Sequence, residues 1–419
     1  MSRILIVGAG QAGLQLALGL VGDGHDVTVV SNRTPQDIHD GRVMSSQCMF
    51  DAALQTERDL GINFWEDECP PIEGISLAVP HPEQQGAKAI DWASRLDGYA
   101  QSVDQRVKYP GWMAKLEERG GRVVIHDVGV DDLERYTQEN DLVIVAAGKG
   151  EIVSLFPRDA SRSPYDKPMR ALALTYVTGM TPRPEFSAVC FNLVPTVGEY
   201  FVFPALTTTG ECEIMVFEGI PGGPMDCWGD VKTPDEHLAR SRWILETFMP
   251  WEAERCRNVE LTDANGILAG RFPPTVRNPV GELPSGRLVL GLADAIMLND
   301  PITGQGSNNA AKMATAYLHA IREHGEAPFD REFMQRVFED FWQSYGQFTT
   351  GWTNALLSPP PPHVLKLLGA GNESPEIAHR FVNGFDNPVD YFEWFMFPDK
   401  AEAYLAEVGA AALAGARRG

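Results

Sequence analysis

The chain has 419 residues, 44% hydrophobic and 22% charged, the balance of a soluble globular protein with room for two or three domains. Its formal net charge of −22 argues against nucleic acid or an anionic membrane surface as partners. No run approaches the roughly 18 apolar residues of a spanning helix, and the six cysteines lack CxxC spacing and read as buried thiols of a reducing cytoplasm rather than disulfides or a zinc site.

Met1-Ser2-Arg3 runs straight into a strand, so no signal peptide is expected. Arg3–Val7 is a short apolar run, Gly8-Ala9-Gly10-Gln11-Ala12-Gly13 follows at once, and Leu14, Leu16, Ala17, Leu18 and Leu20 continue at near-helical spacing. Asp26–Val30 then reads as a second strand. This order of strand, glycine turn, helix and strand turns a GxGxxG match into a dinucleotide-binding expectation. Gly8 would turn the chain, Gly10 would let backbone approach a pyrophosphate, and Gly13 would let the helix pack on the strand. Gln11 and Ala12 open the helix, whose N-terminus favours the anion. The usual acid after the second strand is replaced by Ser31-Asn32-Arg33, which weakens an NAD reading and leaves these three as candidates for the ribose end.

Asp141–Val145 is a buried-type strand running into Gly148-Lys149-Gly150. Glu151 follows, so the GxxxxGK[ST] pattern is absent and a P-loop is set aside. Ala171–Val177, Ala188–Leu193, Glu199–Phe203 and Cys212–Glu218 read as strands of an antiparallel sheet. Pro234–Met249 reads as a helix with Leu238, Trp243, Ile244 and Phe248 on one face. Arg287–Asp294 is a strand ending in an acid suited to the ribityl hydroxyls of FAD. Pro301–Asn309 is a glycine-rich turn into a helix of small residues, whose N–H groups could bond the negative edge of a flavin. Phe329–Tyr345 is a further helix, Pro359–Pro362 a rigid break before C-terminal helices, and Ala410–Gly419 a tail expected to fray.

The nine histidines are dispersed, with neither a Ser/His/Asp arrangement nor a metal-spaced cluster, so no metal and no protein-borne catalyst is expected. That suits an enzyme whose cofactor carries the hard step.

With these residues in view, the chain resembles the p-hydroxybenzoate-hydroxylase-type flavoproteins and, within them, the two-component styrene/indole monooxygenases. The resemblance runs nearly end to end. It rests on Gly8–Gly13, Gly41-Arg42, Ser102–Arg106 with Glu117–Gly121, Ser163–Pro168 with Arg170–Leu172, Asp294 and Asp300–Gly306. Trp352-Thr353-Asn354 and Phe385-Asp386-Asn387-Pro388 are its most family-specific stretches.

It implies an α/β chain in three parts. A Rossmann-like FAD-binding domain would take 1–70, 88–165 and 285–345. An antiparallel β-sheet substrate domain would take 71–87 and 166–284, and a C-terminal helical segment 346–419. Arg42 and Arg106 would face the FAD pyrophosphate and its neighbourhood, and Asp294 the ribityl hydroxyls. Pro301, Gly304, Gln305, Gly306 and Asn308 would line the isoalloxazine. Met44, Ser46, Phe201, Phe203 and Pro301 would wall the substrate pocket.

The implied chemistry is that of FADH2, which reacts with O2 to give a C4a-(hydro)peroxyflavin that epoxidises or hydroxylates a small aromatic substrate, an indole ring or a styrene-type alkene. The Asp-Gly segment of single-component hydroxylases is missing from residues 149–162, which implies that FADH2 comes from a separate NADH-dependent flavin reductase. Family members often carry Asn where this chain has Ser45; the pair Ser45-Ser46 favours indole, whose N–H it could serve. Alternatives are a single-component hydroxylase, a flavin halogenase (although its Trp-x-Trp-x-Ile pattern is absent) and a non-catalytic FAD module. A homodimer is left open.

Overall fold

Arg3–Val7 forms the expected strand and lies between two parallel neighbours, Asp26–Ser31 and Leu142–Val145. All three are buried runs of Val, Ile and Leu, as strands covered on both faces must be. Arg122–Ile125 extends the sheet beyond Asp26–Ser31, Leu288–Gly291 extends it in parallel beyond Leu142–Val145, and Val280–Glu282 closes that edge antiparallel. The helix Gln11–Gly22 packs on the helix Gly306–His324 across a glycine contact: a Cβ on Gly19 would fall 2.5 Å from a Leu318 methyl. The computed structural model describes residues 1–148 and 150–416. Lys149, set aside above, lies outside them, as do the last three residues of the tail expected to fray; its earlier part continues the helix Pro398–Ala416.

The second sheet has eight strands. Ala171–Thr178, Gly210–Gly219, Gly198–Thr207 and Ala188–Val194 pair antiparallel in that order, matching the four strands read from sequence. Two features differ from expectation. Ile72–Pro80 runs parallel to Ala188–Val194, so the sheet is mixed. The long crossover through the first sheet allows this, because a parallel pair needs a connection longer than a hairpin. Lys88–Ala100, assigned to the FAD-binding segments, instead pairs with Ile72–Pro80. Only a short loop separates the two strands, and Ile90, Trp92, Leu96 and Ala100 point into the second core. Val280–Glu282, conversely, belongs to the first sheet rather than to the substrate domain.

The helix Pro234–Phe248 starts on a Thr233/Glu236 capping box. It buries His237, Ser241, Ile244 and Leu245, and Leu238 and Phe248 pack on the same core, as expected, whereas Trp243 is 44% exposed and lies off that face. Hydrogen bonds choose the face: Ser241 Oγ lies 2.8 Å from Thr175 Oγ1, and His237 Nε2 bonds Leu174 O at 2.9 Å. The expected Phe329–Tyr345 helix is Arg331–Phe341 followed by a π-helical turn, Trp342–Gly346, and then the helix Gln347–Leu356. Pro362 opens the next helix at its first position, as anticipated. The C-terminal helices cover the second sheet through Trp352, Phe381, Phe385, Tyr391 and Phe395, and Trp92 Nε1 donates to Leu368 O at 2.8 Å. All six cysteines are free. Among the described residues there is no metal-ligand cluster and no helix long and apolar enough to cross a membrane.

Candidate functional site

The first glycine turn lies at the C-terminal edge of the parallel strands, where open α/β sheets bind ligands. Gly8 has φ +118° and donates to Val30 O at 2.8 Å. A Cβ on Gly13 would sit 2.0 Å from Gly8 O, so the helix rests directly on the turn. Gly10 is the N-cap residue, no side chain caps the helix, and a Cβ there would meet nothing within 4 Å. The helix start is therefore open to an anion, as a pyrophosphate requires.

Gln11 offers only its backbone. Its amide turns inward and donates to Gln15 Oε1 at 3.0 Å and Glu57 Oε1 at 2.9 Å, where Lys108 Nζ also donates at 2.7 Å. Ala12 is buried in the first core. Ser31 Oγ is spent on a local turn, donating to Arg33 O at 2.7 Å, whereas Asn32 is exposed beyond the strand. Arg33 reaches Met44, bringing a cofactor candidate and a substrate candidate together.

The two arginines divide. Arg42 is exposed. Arg106 is 2% exposed, and its guanidinium donates to Asp104 at 2.9 Å, Asp263 at 3.1 and 3.0 Å, Thr207 at 3.1 Å and Gly41 O at 3.4 Å. With its five N–H donors committed to these partners, Arg106 ties the helix Gln105–Glu118 to the second sheet and is not set toward a pyrophosphate, contrary to expectation.

Asp294 follows the strand Leu288–Gly291 in a 3-10 turn and is exposed, against Gly148: a Cβ on Gly148 would lie 2.8 Å from Asp294 Cβ. The second glycine turn begins at Asp300, whose carboxylate accepts from Ile302 N at 3.2 Å and caps Pro301–Thr303. Gly304 has φ +63°, and Gly306 starts a helix without a side-chain cap. Gln305 is fully buried and donates to Phe385 O at 2.9 Å.

Asn308 was expected to line the flavin. Its Oδ1 instead accepts from Phe50 N at 2.9 Å, and its Nδ2 donates to Cys48 O at 2.8 Å and Gly304 O at 3.0 Å. It braces the turn. Next to it, Ser307 Oγ and both polar atoms of Asn309 are buried without hydrogen-bond partners. Orphaned polar groups are rare in interiors, and here they flank an uncapped helix start. The residues present thus fit an absent polar cofactor. Neither residue was singled out from sequence, although polar residues opening an alanine-rich helix were a readable signal.

Met44, Ser46 and Pro301 are half-buried. Phe201 and Phe203 sit in one apolar cluster with Val43, Ile302 and Trp352, and Phe201 stacks on Phe191 at 4.7 Å. Ser45 Oγ donates to Ser46 O at 2.8 Å, and Ser45 O accepts from Tyr176 at 2.9 Å.

A buried acid group adjoins the second turn and was missed in part by sequence reading. Arg170 pairs twice with Glu199, at 2.6 and 2.9 Å. Glu218, opposite Glu199 across the strand pair, is fully buried near Asp300. Burial, reinforced by Asp300 and Glu199, holds the Glu218 carboxyl well above the usual range, and burial raises Asp300 too.

Comparison with known proteins decides the family. Residues 148–255 match the family model described as "Styrene monooxygenase A putative substrate binding domain". Styrene monooxygenase StyA of Pseudomonas fluorescens is 30% identical over 407 residues, 95% of this chain and 96% of that protein. The chain belongs to the styrene monooxygenase family. A second StyA, from a Pseudomonas species, is 30% identical over 97% of this chain and 98% of its own length. The fold also matches the flavin-dependent brominase Bmp2, with TM-score 0.58 at 16% identity over 93% of this chain and 98% of that one. PqsL of Pseudomonas aeruginosa in complex with 2-aminobenzoylacetate matches with TM-score 0.60 at 17% identity, over 85% and 95%. As a member of the styrene monooxygenase family, the chain is a flavin-dependent monooxygenase of the epoxidase kind, with FAD and O2 as the implied cofactor and co-substrate.

Proposed function

We propose that the chain is the oxygenase half of a two-component system. It takes FADH2 from a separate NADH-dependent flavin reductase and, with O2, epoxidises or hydroxylates an indole ring or a styrene-type alkene. One observation carries this reading: the Pro301–Gly306 turn, which ends on the uncapped helix start at Gly306, abuts, through Ile302, the apolar cluster of Phe201, Phe203 and Trp352. A cofactor edge beside an aromatic wall is what oxygen transfer to an unactivated ring or alkene requires.

In this reading the backbone N–H groups at Gly10–Ala12 and the exposed Arg42 hold the pyrophosphate. Asp294 holds the ribityl hydroxyls. The helix start at Gly306–Asn308, with Ser307 and Asn309, holds the ring edge. Bound reduced FAD supplies the electrons that activate O2. The chain's own residues orient and exclude. Phe201 and Phe203 face the substrate and keep water away from the reacting centre. Ser45 O is occupied by Tyr176, but Ser45 Oγ keeps a free lone pair that could accept an indole N–H. The single glycine fingerprint and the missing Asp-Gly segment at 149–162 support an external source of reduced flavin.

The test uses purified protein without a reductase. Chemically reduced FAD plus O2 should oxygenate indole or styrene, and NADH with oxidised FAD should yield nothing. Product from NADH and FAD alone would replace this reading with a single-component hydroxylase.

A further inference from the structure

The π-helical turn Trp342–Gly346 interrupts two ordinary helices, and such turns are rare and concentrate at functional sites. It carries Tyr345 to a position between two side chains of the helix that bears the second glycine turn. Lys312 Nζ donates to Tyr345 OH at 3.0 Å, and Tyr345 OH donates to Gln305 Oε1 at 3.3 Å. Gln305 is the middle residue of Gly304–Gly306, and its Nε2 donates to Phe385 O at 2.9 Å and Thr303 O at 3.3 Å. Lys312 Nζ also donates to Asp386 O at 2.7 Å and lies 4.4 Å from the Tyr345 ring centre. The turn is thus tied to the C-terminal segment through one unbroken chain of hydrogen bonds.

We infer that Lys312, Tyr345 and Gln305 hold the Gly304–Gly306 turn in register for the flavin, with Tyr345 as the positioning residue and the Lys312 proton setting how firmly it holds. The inference rests on the proposed placement of the flavin ring at this turn. Burial lowers Lys312 to about 8, with Asp386 opposing the shift. Asp386, itself raised by burial and by nearby Asp51, and the Tyr345 hydroxyl are the titratable groups around Lys312. Below about pH 8 the ammonium makes charge-assisted bonds to Tyr345 and Asp386 O; above it the neutral amine makes weaker ones. Flavin binding should therefore weaken as pH rises through that point.

The test is titration of purified full-length protein with FAD from pH 6.5 to 9.5, read by flavin fluorescence and visible absorbance, with melting of the FAD-free protein alongside. Tyr345→Phe keeps the ring but cuts the chain. It should weaken FAD roughly three- to tenfold at neutral pH, the worth of a hydrogen bond or two, and flatten the pH dependence. Lys312→Met should flatten it too, whereas Lys312→Arg, which stays charged, should keep tight binding above pH 8. A merely structural role would lower the melting temperature and weaken binding equally at every pH, and would leave the profile of Tyr345→Phe parallel to wild type; that result overturns the inference. Wild-type affinity and profile in Tyr345→Phe overturns it as well. Gly10→Val separates the underlying reading: if it binds FAD as wild type does, the cofactor placement has failed, and this inference falls with it.

Discussion

At Gly8–Gly13 the shape of the turn is set by atoms that are missing; at Asp300–Asn309 it is set by side chains recruited from across the chain. The first turn needs only backbone and the absence of Cβ atoms at Gly8 and Gly13. The second is fastened by Asn308 to residues 48–50, by Thr303 to Thr353 at 2.7 Å, and by Gln305 to Phe385. Both open on unfilled space, since a Cβ on Gly10 or Gly306 would meet nothing within 4 Å. In the proposed reading the first turn holds a pyrophosphate, which is the same in every reaction, so a rigid backbone cradle suffices. In the same reading the second turn holds the ring edge, which must be placed against a particular substrate sheet, so its shape is negotiated with that sheet and the segment behind it.

Breaking the first turn should have the largest effect. In Gly13→Ala the new methyl would press on a backbone oxygen that no side-chain rotation can move away. The expected loss exceeds roughly 4 kcal/mol, visible as insoluble protein or a missing cooperative melt. Soluble protein melting within a few degrees of wild type would show that helix and turn tolerate separation.

Breaking the second turn should be graded, because its support is distributed. Asn308→Ala strands Phe50 N and Cys48 O and should cost about 3 kcal/mol. The protein should still fold, with a lower melting temperature and weaker FAD binding. Complete unfolding would make the two turns equivalent and remove the contrast.

The smallest effect is expected at Glu218→Gln. The Glu218 carboxyl titrates above its unfolded value, so the unfolded chain gives up this proton first and stability drains away as pH rises from the ordinary carboxylate range. The amide has no proton to lose. The variant should match wild type near pH 4 and melt slightly higher at pH 8. Equal melting at both values would mean that the Glu218 carboxyl is not raised in the folded chain.

The same contrast decides what could be read from the sequence. The first turn was legible residue by residue, because sterics acts between near neighbours and leaves glycine as its mark. The four central strands of the second sheet were legible from their apolar runs. Lys88–Ala100 was not placed correctly, since alternation shows that a strand has one buried face but not which sheet it joins. Arg106 and Asn308 were identified as cofactor candidates, yet their polar atoms are spent on partners such as Asp263, Thr207, Cys48 and Phe50, which lie far away in sequence. A side chain's partner cannot be read from its own position. For that reason Asn309 and Ser307, left unpartnered, were overlooked beside Asn308, which is fully engaged.

The position of Leu288–Gly291 in the first sheet has a consequence for synthesis on the ribosome. That strand pairs with Leu142–Val145, and six of the eight strands of the second sheet are translated between them. At bacterial-type elongation rates the delay is on the order of ten seconds. Throughout it the nascent chain carries a parallel sheet whose Leu142–Val145 edge is apolar and unpaired, a template for sticking to other nascent chains. Truncations ending before residue 288 should keep that edge permanently, and demand on chaperones should peak late in translation rather than at its start.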